Sequence, residues 1–263
     1  MAITPTDKAL RLRELHAGPR AFVIANAFDA GSAALLTQLG FAALATSSGA
    51  AAGVLGRKDG QLSRDEALAH AAAIAAATEL PVSADLENGF GDAPGEVAET
   101  ITRAGATGVV GASIEDYTGD PGAPLYPIEV AAARIAAAVQ AARALPFASF
   151  AITARAENFL RGRPDLGDTI ARLKAYEAAG ADVLFAPLLP DLDAVRAVCA
   201  AVTAPVSFMV GAKGKSWDLA SLEGAGVRRV SLATSLWRAA MAGVRAAAEE
   251  VQASGTFGYV DRL

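Results

Sequence analysis

The chain of 263 residues carries one cysteine, two histidines and only 6% aromatic residues, and each shortage closes off a chemistry. A lone thiol, Cys199, rules out an internal disulfide or a zinc cluster, and its place in the apolar helical run 194–201 reads as an inert buried side chain. Such usage suits a reducing cytoplasm. A serine-hydrolase triad needs a histidine near its nucleophile, whereas His16 falls in the first helical run and His70 in the middle of the helix after the second strand, both positions of structural or exposed residues. No apolar stretch reaches about 18 residues without a charge or a turn, and the first residues have no apolar core of signal-peptide length, so no membrane is expected. Basic runs are missing as well. With 23 Lys and Arg against 28 Asp and Glu, the formal charge is −5, and no interleaving of basic and aromatic residues points to nucleic acid.

Alanine fills the space that these residues leave. Hydrophobic residues make up 53% of the chain, which with so few aromatics implies closely packed helices with small contact residues. One punctuation recurs: a helical run ends at glycine and a short apolar run follows, at Gly40-Phe41, Gly105-Ala106, Gly180-Ala181 and Gly226-Val227. Glycine just past a helix supplies a left-handed residue, and a strand apolar on both faces belongs to a parallel sheet covered on both sides. Eight such strands are expected, at 21–26, 42–47, 82–86, 108–115, 149–155, 182–187, 206–210 and 228–233. Alternating with alanine-rich helices, they predict a (β/α)8 TIM-type barrel of one domain over 1–263, a usual size for that fold at about 250 residues, with an open doubly wound sheet as the competing closure.

The most informative stretch is Pro81-Val82-Ser83-Ala84-Asp85-Leu86-Glu87-Asn88-Gly89-Phe90-Gly91. Residues two apart on a strand share a face, so Asp85 and Glu87 converge if the strand extends that far. Two converging carboxylates repel unless one is protonated or a hard cation joins them, and Mg²⁺ suits a site with few protein oxygens because it keeps several waters. The plain alternative is a strand end with two solvated acids. In a barrel, chemistry gathers at the C-terminal ends of the strands, and these ends carry Asn26 and Asp29, then Thr46-Ser47-Ser48-Gly49, Asp85 and Glu87, Glu115-Asp116, and Arg155-Ala156-Glu157-Asn158. Glu115 can join the acids through water or merely terminate its strand. Arg155 offers a planar fork to a carboxylate, or pins the acids of the neighbouring strand. Thr46, Ser47, Ser48 and Gly49 offer hydroxyls and N–H groups to a substrate carboxylate, or ease packing.

Two segments are long enough to cover this rim. The turn-rich 116–127 contains Tyr117, Asp120 and Tyr126, and 50–62 contains Asp59, which can serve as a further acid near the site or as a turn former. Gly89-Phe90-Gly91 followed by Gly95 has the wrong spacing for a dinucleotide loop, and acids precede it where a pyrophosphate would sit.

In order along the chain, Thr-Ser-Ser-Gly at 46–49, Gly-Arg-Lys-Asp-Gly at 56–60, the stretch 81–91, Gly-Ala-Ser-Ile-Glu-Asp at 111–116 and Thr-Ala-Arg-Ala-Glu at 153–157 resemble the signature segments of the isocitrate lyase / phosphoenolpyruvate mutase superfamily. The resemblance implies a (β/α)8 barrel whose last helix swaps between subunits of a dimer or tetramer, here the segment 235–263. It also implies Mg²⁺ or Mn²⁺ presenting a 2-oxo acid or its enolate. Carried over by position, Asp85 is the principal metal ligand, Glu87 and Glu115 act through water, Thr46, Ser47 and Ser48 hold the substrate carboxylate, and Arg155 stabilises the enolate oxygen. Two departures narrow the reaction. The isocitrate and methylisocitrate lyases carry a catalytic cysteine on the loop after the fourth strand, where this chain reads Tyr117-Thr118-Gly119-Asp120-Pro121-Gly122; the phosphonomutases carry a lysine and an asparagine there, also missing. The usual second aspartate of the metal motif is Glu87. What remains resembles the oxaloacetate decarboxylase-like and carboxyphosphonoenolpyruvate phosphonomutase-like branch.

The expectation is therefore a Mg²⁺-dependent carbon–carbon lyase acting on a 2-oxo acid or related carboxylate, with no isocitrate or methylisocitrate cleavage and with Tyr117 as a candidate proton donor. Phosphonopyruvate-type P–C chemistry is the alternative among enzymes. A silent 2-oxo acid binding protein is the alternative of another class.

Overall fold

A computed structural model describes residues 3–262. In chain order the elements are α1 (Pro5–Ala17), β1 (Phe22–Asn26), α2 (Ala30–Gln38), β2 (Ala43–Ala45), α3 (Ser48–Val54), α4 (Arg64–Ala76), β3 (Val82–Asp85), α5 (Pro94–Gly105), β4 (Gly111–Glu115), α6 (Ile128–Arg143), β5 (Ala151–Arg155), α7 (Leu166–Ala178), β6 (Val183–Phe185), α8 (Leu192–Ala201), β7 (Val206–Met209), α9 (Leu219–Gly224), β8 (Val227–Ser231) and α10 (Ser235–Ser254), followed by a 3₁₀ turn. The strands close in sequence order, β8 pairing with β1, and every pairing is parallel. The expected (β/α)8 barrel is what forms, and the open sheet is not.

All eight expected strands exist, each shorter than its apolar run. Their outward residues, among them Leu44, Val82, Ala84, Ile114, Ile152, Leu184 and Phe208, are buried in one large core with the helices. The inward face is different: Ser83, Ser113, Thr153 and Ser207 are all buried there, where a barrel of this type usually carries bulky branched residues. Small hydroxyl side chains leave room inside the barrel for a cavity.

Local chemistry sets the helix ends. Thr4 with Asp7, Asp29 with Ser32 and Ser63 with Glu66 form reciprocal capping boxes at α1, α2 and α4, each worth about 1 kcal/mol. Gly226 is left-handed at φ +100° between α9 and β8, as its position predicts. Gly105 is not: it is the last residue of α5, and the left-handed residue of that connection is Gly108. The glycine at 105 serves contact instead, since a Cβ there would lie 2.5 Å from Leu145. Among the described residues no helix is long and apolar enough to cross a membrane.

At the N-terminal end of the barrel, His16 is buried against Phe22, with ring centroids 5.1 Å apart. A carbonyl only accepts, so the 2.8 Å contact from His16 Nδ1 to Leu12 O fixes the proton on Nδ1 and leaves Nε2 without a partner. Burial, reinforced by the positive charge of Arg229, pushes the His16 pKa down to about 3. The folded state thus keeps this ring neutral while the unfolded chain protonates it near pH 6.5, so stability falls as pH drops from about 6.5 toward 3. In urea unfolding at pH 7 and pH 4.5, wild type should lose more stability on acidification than His16→Gln does. An equal loss in both proteins would rule out a ring buried neutral.

Candidate active site

The C-terminal ends of β3, β4 and β5 meet at one guanidinium. Arg155, the last residue of β5, places Nη1 3.0 Å from Asp85 Oδ1, and Nη2 3.1 Å from Glu115 Oε2 and 2.8 Å from Glu157 Oε1. Register explains the meeting: Asp85 is level with Ser113, and Glu115 is directly beside Arg155. Arg161, one helical turn beyond Glu157, reaches Glu115 Oε1 at 2.9 Å; its Nε lies 3.1 Å from Glu157 Oε2 without hydrogen-bond geometry. Burial raises the Glu115 carboxyl well above the usual range and Glu157 adds to this, against the pull of Arg155 and Arg161. Burial opposes the Arg155 charge, but Glu157, Glu115 and Asp85 outweigh it and hold the guanidinium firmly protonated.

Asp85 is fixed by neighbours as well as by charge. Its own N–H donates to Thr46 Oγ1 at 2.8 Å, its Oδ2 accepts from the Ser48 N–H at 3.0 Å, and its Oδ1 accepts from Ser113 Oγ at 3.2 Å. Glu87 behaves differently. The strand stops at Asp85, and Glu87 sits in the left-handed region at φ +50°, so strand alternation does not bring the two acids together as the sequence suggested. The turn does. Burial, then the charges of Asp85 and Asp59, raise Glu87 to about 7, and its enclosed Oε1 has no partner. Arg134, fully buried on α6, clamps this turn by donating to the carbonyls of Asn88, Gly91 and Asp92. Asp116 fixes the other side: it accepts from the Glu157 N–H at 2.8 Å, from Arg172 at 3.0 Å and from the Tyr176 hydroxyl at 2.6 Å.

Two adjoining cavities open on this cluster and share Ser48, Asp59, Leu160 and Arg155. One, of about 220 Å³, descends into the barrel past Thr46, Ser47 and Asp85; the other, of about 490 Å³, is lined by Glu87, Glu115 and Tyr117. A larger concavity of about 680 Å³ lies at the opposite end of the barrel, around Arg13, His16 and Phe147, away from the acids.

Several expected residues fall elsewhere. Gly49 lines neither cavity; it lets Thr234 approach, because a Cβ at 49 would lie 2.9 Å from Thr234 Cγ2. The segment 50–62 is not one loop, since its first half belongs to α3, whose end Ser47 caps through a hydrogen bond to the Ala50 N–H. The Ser48 N–H, expected to be free for substrate, is taken by Asp85. On the 116–127 loop, Tyr117 packs 3.6 Å from the Arg161 guanidinium carbon and faces the cavity, but Tyr126 is buried, donates to Asp92 and is pushed up to about 12 by that burial, while Asp120 stays exposed at the tip. Cys199 is in α8, outside both cavities, with its thiol pushed up to about 11 by burial.

Arg161 was not among the expected site residues, and Glu157 stood only as one of a row of strand-end groups. Their i,i+4 spacing directly after Arg155 was the available signal. Arg229 and Arg238, also unexpected, line the inner cavity from β8 and the start of α10.

Among the described residues, no three Asp, Glu, His or Cys side chains stand in metal-ligand array. That does not argue against Mg²⁺, which is usually held by one or two carboxylates with waters and substrate. The residues fit such an ion: Asp85 and Glu87 are acids of one neighbourhood, and the enclosed, unpartnered Glu87 Oε1 lacks the donor or cation that a buried carboxylate oxygen calls for.

Comparison with known proteins supplies the lineage. Residues 12–252 match the family model described as phosphoenolpyruvate phosphomutase. The chain is 30% identical to "Probable 2-methylisocitrate lyase 2" of Corynebacterium glutamicum, over 100% of this chain and 87% of that protein, and 31% identical to an oxaloacetate decarboxylase of Chromohalobacter salexigens, over 86% and 80%. Among solved structures, a protein of Burkholderia cenocepacia J2315, described no further than as a lyase or mutase, superposes with a TM-score of 0.96 at 51% identity, covering 98% of this chain and 92% of that one. A phosphonopyruvate hydrolase solved with oxalate and Mg²⁺ superposes at 0.87 with 27% identity, over 97% and 90%. With a barrel whose acids and arginine meet at the strand ends, and a family model that spans nearly its whole length, the chain belongs to the phosphoenolpyruvate phosphomutase family of the PEP mutase/isocitrate lyase superfamily.

Proposed function

We propose that the protein is a divalent-cation-dependent lyase that removes CO₂ from, or cleaves a carbon–carbon bond in, a small 2-oxo acid. The observation that carries this reading is Arg155, a guanidinium kept charged by three carboxylates while still lining both cavities. Asp85, with Glu87 and Glu115 acting through water, would hold Mg²⁺ or Mn²⁺, which supplies Lewis-acid withdrawal of electrons from the bond that breaks. The chain's own residues do the rest. The hydroxyls of Thr46, Ser47 and Ser48 receive the substrate carboxylate, and Arg155 faces the oxygen on which negative charge develops as the bond breaks. Because that charge is absent in the ground state, the interaction with Arg155 lowers the barrier rather than only tightening binding. Tyr117, or water beside it, returns a proton to the carbon, and Asp59 at the cavity mouth shapes the field around Glu87. The oxaloacetate decarboxylase among the relatives supports this choice of substrate.

Steady-state turnover of oxaloacetate, phosphonopyruvate, 2-methylisocitrate and other 2-oxo acids, with and without Mg²⁺, tests the reading. A 2-oxo acid should turn over only with the metal. Methylisocitrate should react at least about 10²-fold more slowly, since no positioned cysteine acid is present, and Cys199→Ala should leave activity unchanged. Methylisocitrate cleavage as efficient as that of any 2-oxo acid would refute it.

Lysine at 155 keeps the charge and loses the planar fork that spans three carboxylates. Arg155→Lys should therefore lower kcat by about 10- to 10³-fold with KM within about threefold, the pattern of an interaction made in the transition state. An unchanged kcat would remove Arg155 from the mechanism.

We further propose that 235–263 is an oligomerisation segment. None of the 20 residues of α10 is buried, and Met241 and Val244 are 45% and 58% exposed on a helix in which Trp237 already packs against Gly53 of its own chain. Sedimentation at micromolar concentration should give a dimer or tetramer, and a stable monomer would contradict the assignment.

A further inference from the structure

Most deeply buried arginines in this chain are matched by acceptors. Arg134 has three carbonyls, Arg155 three carboxylates, and Arg172 the carboxylates of Asp116 and Asp168. Arg229 does not follow the pattern. It is the middle residue of β8, level with Phe22 on β1 and Ser207 on β7, and only 5% exposed. Its Nε donates to Ser207 Oγ at 3.0 Å, and its enclosed Nη1 has no partner. Among the described residues it forms no ion pair. The charges that bear on it are unfavourable: Arg155 repels it, and the nearby His16 is itself driven neutral.

Packing does not account for this residue. A Met or Leu would fill the same volume without burying a charge, and an unmatched buried charge is among the most costly groups a core can hold. The surroundings are partly polar where a barrel interior is usually apolar: Ser83, Ser113 and Ser231 line the same cavity of about 220 Å³ beside Ile24, Phe185 and Met209, and Thr153, two residues before Arg155 on β5, has a buried hydroxyl with no partner. The cavity joins Arg229 to Ser47, Ser48, Asp85 and Arg155, so one small molecule in it meets the reacting groups at one end and an uncompensated cation at the other.

We propose that Arg229 is the centre of an anion subsite inside the barrel that takes the substrate carboxylate remote from the reacting carbon, so that the preferred substrate carries two acid groups. The assignment of the other end of the molecule rests on the lyase reading above; the subsite itself rests on the unmatched guanidinium and the hydroxyl-lined cavity. Discrimination follows from what the site is left with. A monocarboxylic acid leaves the buried cation unpaired, whereas a short diacid neutralises it.

Binding, not turnover, is the test, so a failure of the lyase reading leaves it intact. Lactate and malate differ by one carboxylate, and calorimetry of the full chain with Mg²⁺ should show malate binding at least tenfold more tightly than lactate. Equal affinities in wild type would overturn the proposal before any variant is made. Arg229→Met should erase the preference by weakening malate at least tenfold and lactate less than threefold, and Arg229→Lys, which keeps the charge, should retain part of it. Loss of both ligands alike, or of neither, would also overturn the proposal. If chloride or inorganic phosphate raises the melting temperature of wild type but not of Arg229→Met while malate affinity is the same in both, the subsite belongs to a free ion and the substrate assignment is wrong.

Discussion

The Arg155 guanidinium, shared among Asp85, Glu115 and Glu157, is the interaction on which the rest of the site depends. Acids from β3, β4 and the turn after β5 lie close enough to repel: burial first, then neighbouring acids, raise the pKa of Glu115 and Glu157. Without a central cation their proximity would cost free energy; with it they form one charged unit that Arg161 extends toward the rim. Removing one member of such a unit leaves the others buried and unmatched, which is why single substitutions there should be more damaging than the exposure of the rim suggests.

The unit is held from outside by two further charged anchors. Arg134 ties the turn that carries Glu87 to α6, and Asp116 ties the Glu157 backbone to Arg172 and Tyr176 on α7. Both anchors lie between strand ends and the helices around them, so the packing that builds the barrel also positions the acids. The small inward residues complete the arrangement by leaving a cavity where bulky side chains would otherwise fill the barrel.

Much of this was legible in the sequence, for identifiable reasons. The eight strands were visible because parallel strands are apolar on both faces, and the closing glycine at 226 because only a left-handed residue turns so sharply into β8. Asp85, Glu115 and Arg155 were visible because they end consecutive strands, and Glu87 because it follows Asp85 by two residues, although the turn and not the strand places it. The errors came from side chains whose roles depend on distant partners. Tyr126 looked like a rim residue until Asp92 and Arg134 drew it inward, and Gly49 looked like a substrate contact although it answers to Thr234, which is 185 residues away. Arg229 gave no sequence signal, because a charged residue within an apolar strand becomes notable only when its missing counter-charge can be seen.

The proposed hard cation would sit beside this Arg155-centred cluster, with Asp85 as its direct ligand. Calorimetric titration of Mg²⁺ or Mn²⁺ into the metal-free protein and into Asp85→Ala tests this placement most directly. Wild type should show a single saturable site, reversed by a chelator, and the variant should lose it. Equal metal affinity in the two proteins, or no binding to wild type, would contradict it.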